Sequence, residues 1–174
     1  KKIQKKNLRG TKTRWISKIN KIEKVPTIFL ANEFFDSLAI KQFKKRKNQW
    51  FERYVNFQNK KKSFFYEKKI NIKKIEKKIK FKISKNQNFI EYSEEGFRYL
   101  KDISQKIKIN KGGLLLIDYG YTDQKMKNTL QGVLDHKFAN ILEHLFKIDI
   151  THNINFNLYK NLIKKFTGLD NILT

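Results

Sequence analysis

The sequence predicts an α/β fold with a mostly parallel central sheet, and three observations carry that expectation. The first is Ile28-Phe29-Leu30-Ala31, an apolar run without polar alternation, the pattern of a parallel strand buried on both faces. The second is Leu114-Leu115-Leu116-Ile117, a run of the same kind. The third is how the runs end, one on Asn32-Glu33 with Asp36 a turn later, the other on Asp118-Tyr119-Gly120. Open α/β sheets build their sites at the carboxyl ends of such strands. The two runs are therefore expected side by side and parallel, with their acids at one edge. An exposed strand-to-helix turn explains either acidic end alone; the pair favours a site.

At 174 residues the chain is expected to be one domain with a real core. It starts on Lys1, not Met, so a natural N-terminus further upstream is expected. No apolar run approaches the roughly 18–20 residues that span a bilayer, and no signal-peptide pattern opens the chain. The absence of cysteine excludes disulfides, thiolate metal sites and thiol nucleophiles, and fits a reducing cytoplasm. A net charge of +24 ordinarily points to nucleic acid. Here only five of the 40 basic residues are Arg (Arg9, Arg14, Arg46, Arg53 and Arg98), whereas phosphate and base recognition favours Arg forks. Lys is spread along the whole chain, and the abundance of Lys, Ile, Asn and Phe is what A/T-rich codons produce. A solvated basic surface is the reading adopted, and nucleic acid is not the expected partner.

Taken in order, Lys1–Gly10 reads as the end of a helix with Gly10 as its C-cap. Trp15, Ile16, Ile19 and Ile22 follow at helical or turn spacing. Val25-Pro26 sets an extended entry into the first run. Ser37–Ile40 continues as a turn or short helix. Between the two apolar runs, Gln49–Val55 and Ser63–Glu67 are rich in aromatics and read as a β-hairpin, with Asn56–Lys62 as its loop. Aromatics among lysines also suit base stacking, although a packed hairpin face is the commoner cause. Ile70–Ile83 fits a helix through Ile72, Ile75 and Ile79, or a strand through Ile79, Phe81 and Ile83. Asn88–Tyr92 reads as a strand. Ser93 then caps a helix, with Glu94 and Glu95 in its first turn and Phe97, Leu100, Ile103 and Ile107 on one face. Gly112 ends it. Thr129–Leu134 and Ile148–Phe156 read as strands with a helical or loop segment between them, and Leu158–Phe166 as an amphipathic helix.

Most other chemistry is excluded. His136, His144 and His152 recur every eighth residue, a step of about 12 Å along a helix, and they fall on different elements, so no metal site is expected. There is no G-x-G-x-x-G loop and no serine in a nucleophile elbow. Glu33, Asp36, Glu91 and Asp118 remain as the candidate polar groups.

The order and spacing of several motifs resemble the MidA family of S-adenosyl-L-methionine (SAM)-dependent methyltransferases, which includes the mitochondrial complex I assembly methyltransferase. The resemblance runs from Pro26 to Phe156. It rests on Ala31-Asn32-Glu33-Phe34-Phe35-Asp36-Ser37-Leu38 with Gln42-Phe43, on Trp50, Glu52, Arg53 and Val55, and on Glu91 with Ser93. Gly112–Gly120, Thr129-Leu130-Gln131 and Asp149-Ile150-Thr151 with Phe156 complete it. There are departures. Ala39 stands where the family has Pro, Leu134 where it has Arg, and Asn153 and Asn155 where it has His and Asp.

The family's N-terminal half, with its Gly-rich SAM loop and ribose-binding acid, has no counterpart in these residues. The resemblance therefore implies a partial class I methyltransferase domain over residues 1–174, an internal or C-terminal fragment inactive by itself, with residues 42–92 as a substrate-side insertion. It implies SAM as cofactor and methyl transfer to an arginine of a protein, a complex I subunit in the mitochondrial case. It places Glu33 on the guanidinium, Asp36 in support and Glu91 as a second carboxylate. Ala31 and Asn32 would line the methionine end of SAM, and Asp118, Tyr119 and Gly120 would shape the same mouth. A bacterial protein of this kind would be cytoplasmic and a eukaryotic one mitochondrial. A basic RNA- or ribosome-binding module and a non-catalytic assembly factor are the rivals. SAM binding separates the enzyme from both, and a steep salt dependence on nucleic acid would mark the module.

Overall fold

The computed structural model describes residues 2–59, 62–143 and 147–168. Its elements are α1 (Lys2–Asn7), β1 (Thr27–Asn32), β2 (Lys41–Arg46), β3 (Gln49–Asn59), β4 (Lys62–Ile70), α2 (Ile72–Ile79) and β5 (Phe89–Tyr92). They continue with α3 (Glu94–Asn110), β6 (Gly112–Ile117), β7 (Gly120–Tyr121), β8 (Gln131–Leu134), β9 (Lys137–Ala139), β10 (Asp149–Thr151), β11 (Ile154–Asn155) and α4 (Phe156–Thr167).

The two apolar runs are β1 and β6, and they pair in parallel from Thr27↔Gly112 to Asn32↔Ile117. Their acidic ends therefore lie at one edge, as expected. Gly112 is required at the entry: its φ is +120°, and a Cβ there would lie 1.9 Å from the Thr27 carbonyl oxygen. Burial on both faces does not hold. Ala31 is buried and Leu114 and Leu116 pack on the core, but Ile28 and Leu30 are 74% and 68% exposed, and Leu115 and Ile117 are 54% and 50% exposed. A parallel strand is covered twice only when layers pack on both sides, and α3 supplies one.

A second parallel pair, Gly120↔Ile154 and Asn155↔Tyr121, joins β7 to β11. The largest sheet is antiparallel, in the order β4-β3-β2-β5. The hairpin read from the aromatics is thus part of a four-stranded sheet. Strand β2 joins β3 through Lys47 and Asn48, both left-handed at φ 44° and 61°, a tight two-residue turn that suits the twist of paired strands. The expected Asn56–Lys62 loop is largely strand, since β3–β4 pairing continues to Asn59↔Lys62 past an irregularity at Phe57/Asn59.

The ambiguous segment resolves as helix α2. Asn71 caps it by accepting from Lys73 N–H at 3.0 Å, and left-handed Lys80 at φ 55° ends it. Strand β5 and helix α3 agree with the sequence reading, including Ser93 accepting from Gly96 N–H at 3.0 Å. The segment between the two later strands is neither helix nor loop throughout: β9 lies in it, in a sheet of order β10-β8-β9. Asp135 and His136 form the β8–β9 turn at φ 48° and 62°. His144 lies outside the described residues. Helix α4 is capped by Asn155 accepting from Leu158 N–H at 2.9 Å. Near the N-terminus, α1 ends at Asn7 and Gly10 sits three residues beyond it, not at the cap. The Trp15–Ile22 segment forms only a 3-10 turn at Ile19–Lys21. Trp15 and Ile16 stay exposed, so no buried face holds a longer helix.

The core lies between one face of the large sheet and helices α3 and α4. Phe35, Phe43, Ile90, Leu100 and Leu162 are wholly buried in it. Phe35 comes from the segment that follows β1, and Tyr159 of α4 meets it edge-on at 5.3 Å between ring centroids. The core thereby anchors the chain immediately after the acidic end of β1.

Candidate active site

Strand β1 passes through Asn32 into Glu33, whose φ of 44° is left-handed. For a residue with a long side chain this conformation costs on the order of 1–3 kcal/mol and persists only where neighbours impose it. Three backbone groups do so. Glu33 N–H donates to the Ile117 carbonyl at 2.9 Å. Phe35 N–H and Asp36 N–H both donate to Asp118 Oδ2, at 2.9 and 3.3 Å. The other oxygen, Asp118 Oδ1, accepts from Tyr119 N–H at 2.9 Å. The end of β6 thus clamps the turn after β1.

Asp36 is buried to 6% exposure, and its Oδ1 has no hydrogen-bond partner. Burial pushes its carboxyl above the usual range, and the charges of Asp118, Glu33 and Asp149 push the same way. None of these four carboxylates is in an ion pair among the described residues, in a chain with 40 basic side chains. His152 N–H donates to the Asp36 carbonyl at 3.2 Å. Burial holds the His152 imidazole below its ordinary pKa, so it is neutral at pH 7. Among the described residues no three His, Asp or Glu side chains converge closely enough to hold a metal ion. Carboxylates without an ion-pair partner suit an organic cation that donates hydrogen bonds.

Glu91 stands apart from that cluster. It is buried and accepts from Gln42 Nε2 at 2.5 Å, from Thr129 N–H at 3.2 Å and from the Thr129 hydroxyl. Burial raises its pKa while these bonds oppose the rise. Gln42 also donates to Asn128 Oδ1 at 2.8 Å and accepts from Arg53 Nη1 at 3.0 Å. Thr129 Oγ1 accepts from Asn153 N–H at 2.9 Å, and Asn153 is next to His152. The structure therefore brings Glu33, Asp36 and Asp118 together and connects Glu91 to them through Thr129 and Asn153.

Of the positions expected to face the cofactor, Asn32 and Tyr119 are exposed at neighbouring strand ends, and Ala31 is buried beneath them. The Asp118 carboxylate is occupied by backbone N–H groups. Gly120 is needed for packing, since a Cβ there would lie 2.5 Å from the Ile154 carbonyl oxygen. Asp149 and His152 are site neighbours that residue-type reasoning did not select. Asp149 belongs to the Asp149-Ile150-Thr151 motif, the only signal that marked it.

The family described as "Putative S-adenosyl-L-methionine-dependent methyltransferase" matches residues 1–172. The chain belongs to this family. Among curated proteins, it is 28% identical over 157 residues to the Caenorhabditis elegans "Protein arginine methyltransferase NDUFAF7 homolog, mitochondrial", covering 89% of this chain and 37% of that protein. It is 23% identical over 166 residues to the Homo sapiens "Protein arginine methyltransferase NDUFAF7, mitochondrial", covering 88% of this chain and 34% of that one. A Burkholderia thailandensis structure bound to S-adenosyl-homocysteine superposes with a TM-score of 0.63 at 14% identity, over 88% of this chain and 40% of that one. That likeness establishes the α/β methyltransferase fold. The chain spans little more than a third of the length of these curated relatives. Among its described residues no helix is long and apolar enough to cross a membrane.

Proposed function

We propose that this chain forms the substrate side of a SAM-dependent methyltransferase whose acceptor is an arginine of a protein. The observation that carries the reading is the unpaired carboxylate edge with Asp36 Oδ1 lacking any partner. The names of the NDUFAF7 relatives support arginine as the acceptor, and the family resemblance points to a complex I subunit, in mitochondria where the host is a eukaryote. A guanidinium is a weak nucleophile because its lone pairs are delocalised and it stays protonated. Glu33 holds it through paired N–H donors, which orients one nitrogen and localises charge away from it. That nitrogen sheds a proton as it gains the methyl group, and Asp36, with its raised pKa, takes the proton.

SAM, when bound, would supply the electrophilic methyl, its methyl C–S bond breaking as the N–C bond forms and S-adenosyl-homocysteine departing as the neutral thioether. Asn32, Tyr119 and Ala31 would hold the methionine end of SAM, whose positive sulfonium and ammonium groups would suit the same acidic edge. Asp118 and Gly120 shape this mouth by fixing its backbone. Glu91 acts through Thr129, holding the Asn128–Thr129 loop against β2. No residue of this chain supplies a Gly-rich loop for the adenosine end, so residues 1–174 alone are expected to be inactive.

The test joins residues 1–174 to the amino-terminal part of the Burkholderia thailandensis relative and follows methyl transfer from labelled SAM to arginine-containing proteins. Methylarginine is the expected product. Glu33→Gln should lower kcat by about tenfold to a thousandfold with SAM affinity retained. Methyl-lysine as the product, or loss of SAM binding in that variant, overturns the assignment.

A further inference from the structure

The antiparallel sheet has one face in the core, carrying Phe43, Trp50 and Ile90. Strand alternation and register put a different set on the outward face. Gln42 pairs with Glu91, Lys44 with Phe51 and Phe51 with Lys69, Arg53 with Glu67, and Val55 with Phe65. Toward the end of the β3–β4 arm, Val55, Phe57 and Phe65 are exposed. By the same alternation this face carries Lys44, Arg46, Arg53 and Lys69 against Glu67 and Glu91. Both acids are engaged: Glu67 pairs with Arg46 at 2.7 Å and Glu91 accepts from Gln42 Nε2 at 2.5 Å. The outward face is thus apolar and cationic, with no unengaged carboxylate among its described residues. It joins the acidic edge through one run of hydrogen bonds, from Arg53 to Gln42, Glu91, Thr129 and Asn153.

We propose that this face docks the substrate protein through an acidic, apolar-studded surface on that protein, which presents its arginine to Glu33 and Asp36. The presented side chain rests on the arginine reading above; the docking chemistry does not. Two neighbouring fields of opposite sign select a partner that is acidic where it docks and cationic where it reacts. Nucleic acid matches the basic face but not the pair, because its phosphates would meet the unpaired carboxylates. Stacking is also obstructed. The Arg46 guanidinium lies 5.8 Å from the Phe51 centroid and that of Arg53 lies 5.2 Å from the Phe65 centroid, so these rings already carry a cation where a base would stack.

Fluorescence anisotropy on the full chain tests this with three labelled probes: a Glu/Leu/Phe peptide with a central Arg, the same peptide with Lys for every Glu, and single-stranded poly(U). The acidic peptide should bind at least about tenfold tighter than either other probe. The double variant Lys44→Glu/Lys69→Glu should lose at least about tenfold of that affinity, and so should Phe57→Ser, an exposed site that leaves the core untouched. Lys101→Glu/Lys108→Glu on α3 makes the same charge change at exposed positions and should keep the affinity. Tighter binding of poly(U), equal loss in the α3 control, or no binding of the acidic peptide overturns the docking proposal. The peptide binding needs no methyl transfer, so its outcome is read separately from that of the chemistry. An active chimera whose KM for protein substrate is unmoved by Lys44→Glu/Lys69→Glu would sink the docking surface and leave the arginine reading standing. A bound peptide that is never methylated would do the reverse.

Discussion

The carboxylate of Asp118 spans from the end of β6 to the turn after β1, accepting Phe35 N–H at 2.9 Å and Asp36 N–H at 3.3 Å through one oxygen. This contact, not sequence proximity, sets the position of Glu33 and Asp36, which lie more than eighty residues away along the chain. Asp118→Ala should destabilise the protein by about 2–3 kcal/mol, because charge-assisted bonds to buried N–H groups are lost together. Equilibrium denaturation measures it. A loss below about 0.5 kcal/mol would show that the turn holds itself.

Glu33 is strained, and strain at a site is relieved at the expense of its chemistry. Asn tolerates the left-handed region better than Glu. Glu33→Asn should therefore raise stability by about 0.5–1 kcal/mol while the active chimera loses methyl transfer. A variant that is less stable than the parent would indicate that the Glu33 side chain contributes to folding.

Two buried groups give opposite pH responses. Asp36 has a raised pKa in the fold, so folding disfavours its ionised form relative to the unfolded chain. The stability it confers is present below the ordinary Asp value near 3.9 and is lost as pH rises through the raised value. Asp36→Asn should then melt at a higher temperature than the parent at pH 7, with the difference closing below about pH 4. Thermal melts across that range decide it, and a lower Tm at pH 7 refutes it.

His152 works the other way. Its folded pKa is lowered by burial, so the neutral form is favoured and stability is lost as pH falls through the ordinary value near 6.5. His152→Asn should flatten the decline in stability between about pH 7 and pH 5. An unchanged slope would assign that decline to other groups.

The exposed row of Ile28, Leu30, Leu115 and Ile117 on the β1–β6 pair is a contiguous apolar surface of the kind that drives association. The 174-residue chain is expected to self-associate and to bind an apolar dye, and Leu30→Lys with Leu115→Glu should reduce both with little change in Tm. Calorimetric titration of the same chain with SAM should show no micromolar binding. Micromolar affinity would place the adenosine site within these residues.

The strands β1 and β6, their parallel pairing and the acids at their ends were legible in the sequence, because an unbroken apolar run that stops at an acid is a local pattern. The Ser93 cap and helix α3 were legible for the same reason: capping side chains and helical periodicity act within a few residues. The resemblance carried by motif spacing likewise identified the family. Which groups act together was decided only by tertiary structure. Asp149 and His152 reach Asp36 through the packing of distant segments, and Glu91 is diverted to Gln42 and Thr129 because β5 pairs with β2. Of the large sheet, the β3–β4 hairpin and β5 were legible, but β2 and the pairing that joins them escaped, because the Lys47-Asn48 turn and the lysine-interrupted β2 lack clean alternation. Burial was misjudged for a related reason. The apolarity of Ile28 and Leu30 specifies a surface that must be covered, but what lies on each side of a strand is set by other elements, and here α3 covers only one face.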